Sequence, residues 1–159
     1  MSGRVVILMG SKGDRDHAEG VIAQLEAFGI DYTLRIASAH KSVRHLLGIL
    51  DACSEEEPLV FIAVAGRSNA LAGMVDANTV HPVITCPPVS SAFAGGDIYS
   101  SLRMPSGVAP MVVLDPQGAA LAAAKILAVS DEELRARVAA YQAAMTENVV
   151  KDDEELEHE

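Results

Sequence analysis

The chain has 159 residues, 50% hydrophobic but only 4% aromatic, and its 22 acidic against 12 basic side chains leave a formal net charge of −10. That balance argues against a nucleic-acid-binding protein, because duplex binding draws most of its affinity from Lys and Arg set against phosphates. No apolar run approaches the roughly 18 to 20 residues needed to cross a bilayer, and no basic start leads into an apolar signal core, so a soluble, cytosolic protein is expected.

The length suits one domain that buries roughly two thirds of the surface its unfolded chain exposes. A core drawn from Ala, Val, Leu and Ile fits closely packed α/β layers. Cys53 and Cys86 match neither a disulfide framework nor a zinc spacing and read as buried free thiols.

Along the chain, Val5 to Met9 is a continuous apolar run ended by Gly10-Ser11-Lys12-Gly13-Asp14, after which Ala18, Ile22, Leu25 and Phe28 recur at helical spacing. Gly29 is placed to close that helix. Tyr32 to Ile36 predicts a second strand and Val43, Leu46, Leu47 and Leu50 a second helix. Leu59 to Val64 is a third buried run, followed by a loop at residues 65–69 and a helical stretch from Ala70 to Asn78. His81-Pro82 opens a fourth strand, Val83 to Cys86, and a Pro-, Ser- and Gly-rich loop runs from Pro87 to Gly96. A short helix around Ile98 to Leu102, a strand from Pro110 to Leu114 and an Ala-rich helix from Gly118 to Leu127 complete the alternation. Strands alternating with helices indicate a parallel sheet covered on both faces.

A last helix, Asp131 to Asn148, begins on acidic residues and carries Leu134, Val138, Tyr141 and Met145 on one stripe. Because the sheet unit is complete before it, the stripe is expected to pack on a neighbouring subunit. The expected organisation is one catalytic domain over residues 1–150, including this helix, and an acidic tail over 151–159, solvated and frayed, that contains His158.

Ligands of open parallel α/β sheets bind beyond the carboxyl ends of the strands, which singles out three loops. Gly10 to Asp14 offers glycines, the Ser11 hydroxyl and helix-start N–H groups that suit a phosphate, or else it is only a capped turn with Asp14 as N-cap. Ser38-Ala39-His40-Lys41 puts a group that titrates near neutral pH beside a hydroxyl and a cation, unless His40 is merely a solvated loop residue. His17 and His45 fall within helical stretches and His81 precedes a proline, so only His40 sits at a strand's carboxyl end. Gly66, Arg67, Ser68 and Asn69 bring polar donors beside Ala65, Ala70 and Leu71, or form a helix cap through Ser68. The residues alone therefore describe a phosphorylated-ligand site with one candidate acid/base.

Met9-Gly10-Ser11 with Asp14, Ser38-Ala39-His40-Lys41, and the run from Ala65 to Leu71 together resemble the phosphoribosylaminoimidazole carboxylase family, in its class II branch. The stretches Cys86-Pro87-Pro88 and Ser100 to Gly107 resemble it too, so the likeness spans about Val5 to Leu127. The class I mutases typically carry Gly-Gly-Ala-Ala-His in the third loop and Arg at the end of the second, where this chain has Arg67-Ser68-Asn69-Ala70 and Lys41. Gly13 stands where the family often has a second serine.

The resemblance implies a three-layer, flavodoxin-like sandwich assembled as a homo-octamer with shared sites, working without ATP, biotin, metal or other cofactor. It implies reversible carboxylation of 5-aminoimidazole ribonucleotide by CO2, with His40 as general acid/base. Ser11, Asp14, Ser38 and Lys41 would hold phosphate and ribose, and Gly66 and Ser68 the ring or carboxylate side. The competing readings are the class I rearrangement of the N5-carboxylated ribonucleotide and a non-catalytic nucleotide-binding module of the same fold.

Overall fold

The computed structural model describes residues 3–157. Five parallel strands, β1 (Arg4–Met9), β2 (Asp31–Ile36), β3 (Leu59–Val64), β4 (Val83–Thr85) and β5 (Met111–Val112), form one sheet in the order β2-β1-β3-β4-β5. That order is the flavodoxin-like doubly wound one. The connections carry α1 (Arg15–Ala27), α2 (Val43–Cys53), α3 (Leu71–Asp76), α4 (Tyr99–Leu102) and α5 (Pro116–Leu127), and α6 (Glu132–Leu156) follows.

Side chains alternate across each strand, and the core accordingly divides in two. Val5, Ile7 and Met9 join Val60, Ile62 and Val64 under α1 and α5, whereas Val6, Leu8, Phe61 and Ala63 pack against α2 and α3. Ala119, Ala120, Ala123 and Ala124 are fully buried, so α5 can lie close to the sheet without aromatic filling. At the end of α1, Gly29 takes a φ of +65° while Gly29 N–H donates to Glu26 O at 2.9 Å and Ile30 N–H to Leu25 O at 3.0 Å. This Schellman pairing is the closure expected of Gly29.

Several boundaries differ from expectation; the helix expected over Ala70 to Asn78, for one, spans Leu71–Asp76. α5 starts at Pro116 rather than Gly118, because Asp115 accepts from Gly118 N–H at 2.6 Å and proline suits the first helical position. β5 shrinks to two residues at the sheet's edge. α6 runs on to Leu156, so the segment expected to fray is helical as far as that residue: no Gly or Pro follows Gly118 to stop it, and Lys151 and Glu155 pair at 3.8 Å. His158 and Glu159 lie outside the described residues.

The apolar stripe of α6 also has a different partner from the one expected. Leu134 and Val138 are buried in the same cluster as Phe28 and Leu127 of their own chain, and Tyr141 meets Phe28 edge-on at 5.2 Å. Arg137 Nε donates to Phe28 O at 2.8 Å, and Arg135 to Ala128 O and Val129 O. Only beyond Tyr141 does the stripe lose cover, leaving Met145, Val149 and Leu156 exposed.

Candidate active site

The sheet register brings the loops to one level. Met9 lies opposite both Ile36 and Val64, so the loops after β1, β2 and β3 leave the sheet side by side. Thr85 pairs with Ala63, which puts the Pro87 loop level with them. All four line a single cavity of about 690 Å³.

The first loop folds on itself. Ser11 Oγ accepts from Gly13 N–H at 3.2 Å, and Asp14 Oδ2 accepts from Ser11 N–H at 2.8 Å and from the Ser11 hydroxyl at 3.0 Å. Asp14 does occupy the N-cap position of α1, but its side chain makes no bond to that helix; its carboxylate reaches back to Ser11 in a capping box. A Cβ on Gly13 would meet only Ser11 Oγ, at 3.5 Å, and the serine common in the family would therefore fit there. Gly10 cannot be enlarged so freely, because a Cβ there would stand 3.1 Å from that of Ala65.

In the second loop, Ser38 Oγ accepts from the N–H groups of His40 (3.3 Å) and Lys41 (3.1 Å), and Ser38 N–H donates to Ser42 Oγ at 2.8 Å. These bonds fix the turn and leave both His40 and Lys41 exposed along the cavity. In the third loop Gly66, Arg67 and Ser68 line the cavity, and Arg67 holds a left-handed φ of +57°. Ser68 does not cap α3: the nearest side-chain acceptor is Asn69 Oδ1, 3.5 Å from Ala72 N.

Every residue nominated from sequence lines this cavity: Ser11, Asp14, Ser38, His40, Lys41, Gly66 and Ser68. Ala39, Ala65 and Leu71 supply its apolar wall, but Ala70, expected there, does not reach it. Arg67, named from sequence as a donor of the third loop but given no role, lines it too, and the fourth wall, Pro88, Val89 and Ser90, was missed. The signal for that wall was present, since a Pro-rich loop at the carboxyl end of a buried strand obeys the same rule as the other three.

Lys41 and Arg67 face one carboxylate, Asp14, across the cavity, and neither cation is in an ion pair among the described residues. The local balance thus favours an anion although the chain as a whole is acidic. His17 lies behind the first loop, with Nε2 3.5 Å from Cys86 Sγ. Burial lowers its pKa against the opposing pull of Asp14 and then Asp115. Burial, reinforced by Asp115, pushes the Cys86 thiol up to about 12. Iodoacetamide at pH 8 should therefore leave Cys86 unmodified in the folded protein and label it only in denaturant; rapid labelling of the native state would contradict its burial.

The arrangement defines an α/β protein with one cavity beyond the carboxyl ends of its strands, lined by two cations, one carboxylate and an exposed histidine. The AIR carboxylase family profile matches residues 4–148, and the chain belongs to that family. It is 53% identical to the phosphoribosylaminoimidazole carboxylase of Archaeoglobus fulgidus over 96% of this chain and 84% of that protein. With the phosphoribosylaminoimidazole carboxylase of Treponema denticola the identity is 46%, over 96% of both. The crystal structure of Treponema denticola PurE superposes with a TM-score of 0.95 at 46% identity, covering 97% of this chain and 98% of that one.

Proposed function

We propose that this chain catalyses the reversible CO2-dependent carboxylation of 5-aminoimidazole ribonucleotide to 4-carboxy-5-aminoimidazole ribonucleotide, a carboxy-lyase step of purine (IMP) biosynthesis. The observation that carries the reading is the convergence of His40, Lys41 and two glycine-containing loops on one cavity in a member of this family.

The electron-rich ring carbon attacks the carbon of CO2, forming the new C–C bond, and the proton on that ring carbon passes to His40; in reverse, His40 returns it as CO2 leaves. Lys41 supplies a charge-assisted bond to the phosphate. Ser11 and Ser38 bind beside it, and the carboxylate of Asp14, which can only accept hydrogen bonds, suits the ribose hydroxyls. Gly66 and Ser68 serve the carboxylate side. Ala39, Ala65 and Leu71 exclude water there, which favours neutral CO2 over the free carboxylate.

The deciding assay supplies the ribonucleotide with bicarbonate and follows the carboxylated product. Product formation is expected. Consumption of the N5-carboxylated ribonucleotide without bicarbonate would instead assign the class I rearrangement, and binding without turnover a non-catalytic module.

Lys41→Ala should weaken binding of the phosphorylated substrate by about 10- to 100-fold, as for a lost charged hydrogen bond of ~1.5 to 3 kcal/mol, and spare the dephosphorylated nucleoside. Calorimetric titration of both ligands measures this, and equal losses would place Lys41 elsewhere.

The working form proposed is a cytosolic homo-octamer with sites shared between subunits. Phe93, Tyr99 and Leu102 on the segment that follows Ser90, and Val149 and Leu156 on α6, support this as apolar side chains exposed on the single subunit. Light scattering on the eluted protein gives the subunit count.

A further inference from the structure

We propose that Ser100 and Asn69 are positioning residues, and that the short segment Asp97 to Ser101 is a brace that sets the two cavity walls formed by the third and fourth loops. None of Asn69, Asp97, Ser100 or Ser101 lines the cavity. Asn69 is 2% exposed and lies immediately after Ser68. Its Nδ2 donates to Thr85 Oγ1 at 2.8 Å and to Ser101 Oγ at 3.0 Å, and its backbone N–H donates to Ser100 Oγ at 3.0 Å. Ser100 Oγ in turn lies 3.0 Å from Arg67 O and 2.8 Å from Asp97 O, two carbonyls that share its single proton. Asp97 Oδ2 accepts from Ser90 N–H at 3.0 Å, on the opposite wall.

One hydroxyl thus spans Arg67, the residue of the third loop in the left-handed region, by holding its carbonyl and the second N–H after it. Left-handed backbone at a non-glycine residue persists only where its surroundings dictate it. The walls are also in contact, since a Cβ on Gly66 would stand 2.6 Å from Pro88 O. Loosening Ser100 frees Arg67 to return to an ordinary conformation, which moves Gly66 and Ser68 relative to His40. The first two loops have no bond to this segment, so the phosphate end stays in place. The effect should fall on turnover rather than on nucleotide binding.

The kinetic part of this inference rests on the carboxylase reading, whereas the structural part does not. Amide hydrogen exchange followed by NMR should show the Asn69 N–H exchanging at least about tenfold faster in Ser100→Ala than in wild type. Steady-state assays should show kcat falling by about 10- to 100-fold, the scale of a small misplacement of reacting groups, with KM for the ribonucleotide within about threefold. Ser100→Thr, which keeps the hydroxyl, should restore both. Unchanged Asn69 exchange overturns the brace, as does wild-type turnover by Ser100→Ala or a loss confined to KM. If wild type itself fails to carboxylate, the functional reading fails, and the exchange comparison still decides the brace. Ser100→Cys, similar in volume but a weak hydrogen-bonding group, gives the same comparison if Ser100→Ala does not fold.

Discussion

Replacing His40 by Asn should slow turnover by about two to four orders of magnitude, the range for a lost general acid/base, and leave nucleotide binding within a few-fold. The loop should survive the change, because its fixed contacts are backbone ones: the N–H groups at 40 and 41 donate to Ser38 Oγ, and no side-chain atom of His40 takes part in them. Asparagine keeps a polar side chain of similar reach but has no group that titrates near neutral pH. The proton on the ring carbon is then left to water in a cavity whose wall includes Ala39, Ala65 and Leu71. Steady-state kinetics beside calorimetric binding of the nucleotide separates the two effects. Near wild-type turnover would remove His40 from the mechanism, and a large loss of binding would recast it as a ligand-holding residue.

Ending the chain after Leu127 should cost the fold itself. Leu134 and Val138 are buried with Phe28 and Leu127, and at roughly 1.5 to 3 kcal/mol for each such side chain their loss removes about 3 to 6 kcal/mol. The edge-on contact of Tyr141 with Phe28 and the bond from Arg137 to Phe28 O are lost with them. Against a typical total of about 5 to 15 kcal/mol, that should unfold the domain or lower its melting temperature sharply. Ending the chain after Asn148 keeps every one of these contacts and should leave the subunit folded, affecting only surfaces that Val149 and Leu156 present to other molecules. Circular-dichroism melts of the two truncations, with light scattering for assembly, test the distinction. A truncation at Leu127 that melts like the full chain would overturn it.

The strands and most helices were legible because each is short-range physics written in residue order. A strand buried on both faces reads as an unbroken apolar run, as in Leu59 to Val64, and a helix end reads as Gly29 with its positive φ. That the seven nominated residues would share one cavity was legible for a related reason. In a parallel sheet every strand's carboxyl end points the same way, so loops after strands are together wherever the strands pair in register.

Residue order by itself therefore determined the α/β alternation, three of the loops that line the cavity and the residues by which the chain resembles its family. Only the tertiary structure decided what those residues lean on. Which surface receives the stripe of α6 depends on where Phe28 and Leu127 lie, and periodicity describes one face of a helix without naming its partner. Likewise, Asn69 and Ser100 are 31 positions apart and meet only because α4 folds back beside the third loop. Arg67 and Pro88 become cavity walls by the same long-range closure, in which side chains distant along the chain satisfy one another's polar groups in space.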